Sequence, residues 1–85
     1  MMTVRMLFFA HLRDLAGGSE LELTLPAGGT VREAVSELAA RLPRLEAVLD
    51  HARVAVNAEL AGPETLLHEG DEVALMPPMS GGTDA

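Results

Sequence analysis

The sequence predicts an α+β domain: a mixed β-sheet with one main amphipathic helix on one face. Three observations lead there. Two strand-like stretches with period-two alternation open the chain, a capped helical stretch with a single apolar stripe follows, and two more strand-like stretches close it. A strand, strand, helix, strand, strand order of this kind has one helix face and one sheet face to bury against each other.

Thr3 to Phe9 (TVRMLFF) is rich in β-branched and aromatic side chains and reads as the first strand. Alternation puts Val4, Met6 and Phe8 on one face and Arg5, Leu7 and Phe9 on the other, with Arg5 marking the wetter side. HLRDLAGG then forms a short turn of helix closed by Gly17 and Gly18. SELELTL alternates strictly, Leu21, Leu23 and Leu25 against Glu20, Glu22 and Thr24, so the short link predicts an antiparallel pair.

Pro26 to Gly29 is a turn, and TVRE is a capping box in which Thr30 accepts from the backbone three residues on while Glu33 reaches back. A helix is expected to start there. Val31, Val35, Leu38 and Leu42 form one apolar stripe, and Pro43 halts the pattern at about Leu42. Pro43 to Asp50 is a weaker, turn-like or short helical piece. Arg53 to Asn57 (RVAVN) is a short strand, punctuated by Asn57, Gly62 and Pro63. A Gly-Asp turn at Gly70 and Asp71 leads into the last strand, Glu72 to Met76, with Val73 and Leu75 facing one way and Ala74 and Met76 the other.

This order is the β-grasp, or ubiquitin-like, arrangement, with the domain expected over 1–76 and an extended tail over 77–85. The helix covers one sheet face and leaves the other for solvent or a partner. Phe9 shares the wetter face with Arg5, and Met76 shares its face with Glu72. Two sizeable apolar side chains are therefore expected outside the core, and they suggest an interface if they cluster.

The totals narrow the function classes. Eighty-five residues hold one small core. With no cysteine, the chain builds no disulfide, thiolate metal site or cysteine nucleophile. All six basic residues are arginine, against thirteen acids, for a net charge of −7. That balance repels nucleic acid and anionic lipid and suits a protein partner with a basic face. The apolar run Met6 to Ala10 is too short for a signal segment or a membrane span, so a cytoplasmic protein is expected.

Several features have plain structural readings beside functional ones. His11, His51 and His68 show no ligand-like spacing and are expected on the surface or in turns, without a metal. Glu69, Asp71 and Glu72 either steer a basic partner or make a solvated turn. Gly17 with Gly18, and Gly28 with Gly29, read as turns because neither pair follows a strand in a βαβ unit.

The tail carries the chemistry. Pro77 and Pro78 lack a backbone N–H, so the last strand stops pairing beyond Met76 and the chain leaves the body. Pro77 to Gly82 spans up to about 20 Å when extended, and Gly81 and Gly82 have no Cβ to jam in a narrow channel. That describes a probe for a buried site on another protein, although SGG taken alone favours an inert Gly-rich end.

VRMLFFAHLRDLAG at Val4 to Gly17, VAVNAEL at Val54 to Leu60 and EGDEVALMPPMSGG at Glu69 to Gly82 together resemble the MoaD/ThiS family of ubiquitin-like sulfur carriers. Within it, the MoaD-type branch, the small subunit of molybdopterin synthase, is the best match. The resemblance implies a carrier, not an enzyme, in which Gly82 is the working terminus and Gly81 its slim neighbour. An E1-like adenylyltransferase would activate the Gly82 carboxylate with ATP, which the partner binds, and the product would become a thiocarboxylate. The large subunit of molybdopterin synthase would then receive the tail and use its sulfur on a pyranopterin precursor. Phe9, Leu60 and Met76 match the family's apolar contact with that subunit, next to the Pro77 and Pro78 exit. Met76 stands where the family often has an aromatic residue.

Thr83, Asp84 and Ala85 follow the diglycine, so this reading expects a processing protease to remove 83–85. Other readings stay open. One is a β-grasp binding module that docks but is never activated. The other is a related duty, carrying sulfur for thiamine or transfer RNA or joining the diglycine to lysines of other proteins. With no lysine, the chain cannot build side-chain-linked chains of itself.

Overall fold

The computed structural model describes residues 1–78. Five strands, β1 (Met2–Phe8), β2 (Glu20–Leu25), β3 (Arg53–Val56), β4 (Glu59–Leu60) and β5 (Glu72–Met76), form one sheet in the order β2-β1-β5-β3-β4. β1 and β5 run parallel, and the other neighbours are antiparallel. Helices α1 (His11–Ala16), α2 (Val31–Arg41) and α3 (Glu46–Leu49) connect them, with a 3-10 turn at Pro43–Leu45 leading into α3.

The alternation read from the sequence sets the register. Val4, Met6 and Phe8 of β1 are buried, Arg5 is exposed and Leu7 half-buried. Leu23 and Leu25 of β2 and Val73 and Leu75 of β5 join them on the helix side. β2 pairs with β1 as expected, Arg5 opposite Glu22 and Val4 opposite Leu23. A one-residue slip would turn all of these apolar groups outward, so burial of one face specifies the pairing strongly.

α2 begins at its capping box. The Glu33 N–H donates to Thr30 Oγ1 at 3.3 Å, and the Thr30 N–H donates to Glu33 Oε1 at 2.9 Å. Removing such a cap typically costs about 0.5–2 kcal/mol. The stripe is rotated slightly from the expected one: Val31, Ala34 and Leu38 are buried, whereas Val35 and Leu42 are half-buried at the rim. The small Ala34 takes a fully buried position in the α2 face that meets the sheet, and the bulkier Val35 lies at its rim.

Between Ala16 and β2 the chain reverses at Gly17, which takes φ 80° and donates its N–H to Arg13 O. A left-handed residue at this position closes a helix with little strain only when it is glycine.

β4 was not expected. Asn57 and Ala58 both take positive φ (51° and 72°) and fold β3 back on a two-residue turn, pairing Ala55 with Leu60 and Val56 with Glu59. Asn57 anchors the turn: its Nδ2 donates to Asp71 Oδ1 at 2.9 Å, and its Oδ1 accepts from the Glu72 N–H at 3.0 Å. Asp71 Oδ2 accepts from the His68 N–H at 2.9 Å. One Asn and one Asp thus lock the β3–β4 turn to the start of β5.

This lock predicts acid sensitivity. The Asn57 amide holds the Asp71 carboxyl below its ordinary value of 3.8; partial burial opposes this, while the His68 backbone N–H and the His68 side chain add to the lowering. A depressed folded-state value means that the ionised carboxylate stabilises the fold at neutral pH. Its contribution is expected to be complete above the ordinary value, to decline as pH falls below 3.8 and to vanish below the depressed value. Denaturation of Asp71→Asn across that range should show a shallower acid limb than the parent chain. Identical limbs would remove Asp71 from the account.

Candidate functional site

The sheet face turned away from the helices is built in rows, because residues paired across neighbouring strands point to the same side. The row farthest from the tail is Glu22, Arg5 and Glu72. Arg5 forms ion pairs there, with Glu72 at 2.8 Å and Glu20 at 3.3 Å. The middle row is Glu20, Leu7, Ala74, Ala55 and Leu60. The row nearest the tail is Phe9, Met76 and Arg53: Met76 pairs with Arg53, and Phe9 lies one step past the Phe8–Leu75 pair, donating its N–H to Leu75 O at 3.2 Å.

The result is a shallow apolar saddle. Ala74 and Ala55 form its floor, and Leu7, Leu60, Phe9 and Met76 rise around them. From β1 to β4 it spans three strand spacings, about 14 Å. Phe9 is 48% exposed and Leu60 66%, and both are among the few large apolar side chains that water reaches in the described residues. Ala55 is only 7% exposed yet lies outside the main core cluster, as expected for a small residue on the floor of the outer face.

Phe9 and Met76, named from alternation, are neighbours, and Leu60 closes the far side of the same face. The tail leaves from this patch: Pro77 is half-buried directly after Met76, and Pro78 is exposed. Gly81 and Gly82, together with 83–85, lie outside the described residues. Leu7, Ala55, Ala74 and Arg53 belong to the face but were not singled out from the sequence. Leu7 and Ala74 had been placed on the correct side; Ala55 gave no signal because its role is to be small.

A second concavity of about 580 Å³ lies between α2, α3 and the β3–β4 edge, lined among others by Val35, Leu49, Val54 and Ala61. Arg53 and Leu60 border it as well as the open face. His11, His51 and His68 are all exposed. Among the described residues, no group of three or more His, Cys, Asp or Glu side chains is placed to hold a metal ion. No helix among them is long and apolar enough to cross a membrane. What the geometry offers is an exposed apolar face continuous with the root of a tail.

A mixed five-stranded sheet grasping α2, with its open face and C-terminal exit, defines a ubiquitin-like β-grasp protein. The chain belongs to the ThiS family, whose pattern matches residues 6–82. It is 35% identical over 83 residues to the molybdopterin synthase sulfur carrier subunit of Chlamydomonas reinhardtii, covering 95% of this chain and 100% of that one. It is also 35% identical over 79 residues to the subunit of the same name from Arabidopsis thaliana, covering 93% of this chain and 82% of that protein. The crystal structure of SAMP1 from Haloferax volcanii superposes with a TM-score of 0.84 at 33% identity, over 94% of this chain and 99% of that one.

Proposed function

We propose that the protein is the sulfur carrier subunit of a molybdopterin synthase. The observation that carries this reading is the continuity of an apolar docking face, Phe9, Leu60 and Met76, with the exit at Pro77 and Pro78. Sequence similarity to named sulfur carrier subunits over nearly the whole chain supports it.

The chain's own part is to present a carboxylate and to dock. Once 83–85 are removed, a Gly82 carboxylate oxygen attacks the α-phosphorus of ATP on the E1-like partner, and pyrophosphate leaves. The acyl-adenylate then accepts sulfur at the sulfide level, AMP leaves, and a thiocarboxylate remains. That group is a sulfur nucleophile at neutral pH, which a cysteine-free chain otherwise lacks. In the large subunit its sulfur attacks a carbon of the pyranopterin precursor and displaces an oxygen leaving group from it; water then cleaves the acyl carbon–sulfur bond, leaving the sulfur on the precursor and restoring the carboxylate. ATP belongs to the activating partner, and acid and base groups belong to the enzymes that handle the tail.

Phe9 sits at the root of the tail with half its surface exposed, so it gains burial only on docking. Phe9→Ala is expected to weaken binding to the large subunit about 30-fold, the loss of a central aromatic anchor, while the melting temperature moves little. Calorimetric titration alongside a melting curve checks this. A large stability loss with unchanged affinity would place Phe9 in the core instead.

In the native cell, loss of the chain should abolish molybdoenzyme activity without creating a thiamine requirement. A chain truncated at Met79 should dock yet fail to restore activity. Restoration by that truncated chain would instead support a binding module in which the diglycine has no role.

The similarity to a small archaeal modifier protein favours a second reading, in which the same activated Gly82 is joined to lysines of other proteins. Diglycine remnants on lysines, present in the parent cell and absent from the deletion strain, would establish it.

A further inference from the structure

The open face carries a charge polarity along its strands. At the end away from the tail, Arg5 is already satisfied by Glu72 and Glu20. At the tail end, Arg53 stands across from Met76, exposed, and no carboxylate lies within 4.0 Å of it among the described residues. Asp50 borders the same concavity without forming an ion pair with Arg53 at that distance. In a chain of net charge −7, a cation next to the apolar patch that no carboxylate of the described residues pairs is the odd charge out.

A guanidinium covered by a partner without a counter-charge would be strongly unfavourable. We propose that Arg53 sets the orientation of docking by receiving a carboxylate of the large subunit. The partner surface it fits is an apolar patch with an acidic residue on the side that takes the tail. Docked the other way round, that acid would face Glu22 and Glu72, so the reversed pose is repelled and the tail is aimed in one direction. This inference rests on the reading of the open face as the docking surface for the large subunit.

The test measures the affinity of the purified large subunit for the parent chain, Arg53→Lys, Arg53→Ala, Arg53→Glu and Phe9→Ala at low and moderate salt. Melting curves establish that each variant is folded, which the exposure of Arg53 favours. Arg53→Ala is expected to weaken binding about 10-fold and Arg53→Glu about 30-fold or more. Arg53→Lys should retain most of the affinity, and the penalty of Arg53→Glu should shrink as salt rises. An acidic-to-Arg substitution on the large subunit should restore binding of Arg53→Glu. Binding of Arg53→Glu within twofold of the parent, with Phe9→Ala weakened, overturns the role of Arg53 and leaves the docking face standing. If Phe9→Ala also binds like the parent, the docking face is elsewhere and the role of Arg53 falls with it.

Discussion

In a chain ending at residue 82, Gly82→Ala is expected to leave fold and docking unchanged and to lower thiocarboxylate formation on the order of 100-fold. The fold is insensitive because residue 82 follows the last strand in the sequence, and the buried core is built from residues between Met2 and Leu75. Under the proposed function the chemistry is expected to be sensitive, because a Cβ beside the reacting carboxylate would displace it and small misplacements of reacting atoms cost orders of magnitude. Single-turnover adenylation followed by mass spectrometry separates the two effects. A Gly82→Ala chain that is thiocarboxylated at the parent rate would show that the slimness of the tail does no chemical service.

Leu38→Ala is expected to have the largest effect on stability. Leu38 is fully buried at the centre of the α2 face that meets the sheet. Truncating a leucine so placed costs about 2–5 kcal/mol, the spread reflecting how far the surroundings collapse into the space. A domain of this size has only about 5–10 kcal/mol in total, so the variant is expected to be partly unfolded at physiological temperature. Chemical denaturation gives the number directly. A change below about 1 kcal/mol would mean that α2 packs in a different register.

The body of the fold was legible because its signals are redundant. Alternation in VRMLFF and ELELTL, the Thr30–Glu33 box and the Pro43 stop each report one element, and the packing agrees with all of them. β4 was illegible for a physical reason. Two residues carry no period, and Ala58 occupies the second turn position where glycine would have announced a hairpin. Asn57 was read as the end of a strand when it is the turn itself, anchored by Asp71.

The site was legible in its large residues and hidden in its small ones. Phe9 and Met76 stood out as apolar groups on a polar face, and Leu60 entered through family resemblance alone. Ala55 and Ala74 matter by leaving room between them, and Arg53 matters through register with Met76, which only strand pairing reveals. Charge composition pointed to a partner with a basic face, and the Glu22–Arg5–Glu72 row fits that; the role proposed for Arg53 adds one acidic residue to that partner surface, at the tail end.

Intact-mass measurement reads out whether Gly82 becomes a thiocarboxylate. The chain taken from its native cell is expected to end at Gly82. Incubation with its E1-like partner, ATP and a sulfide donor should add the mass difference of one sulfur for one oxygen, removable by hydrolysis. A native chain that still ends at Ala85, and whose mass never changes under these conditions, would contradict the carrier account.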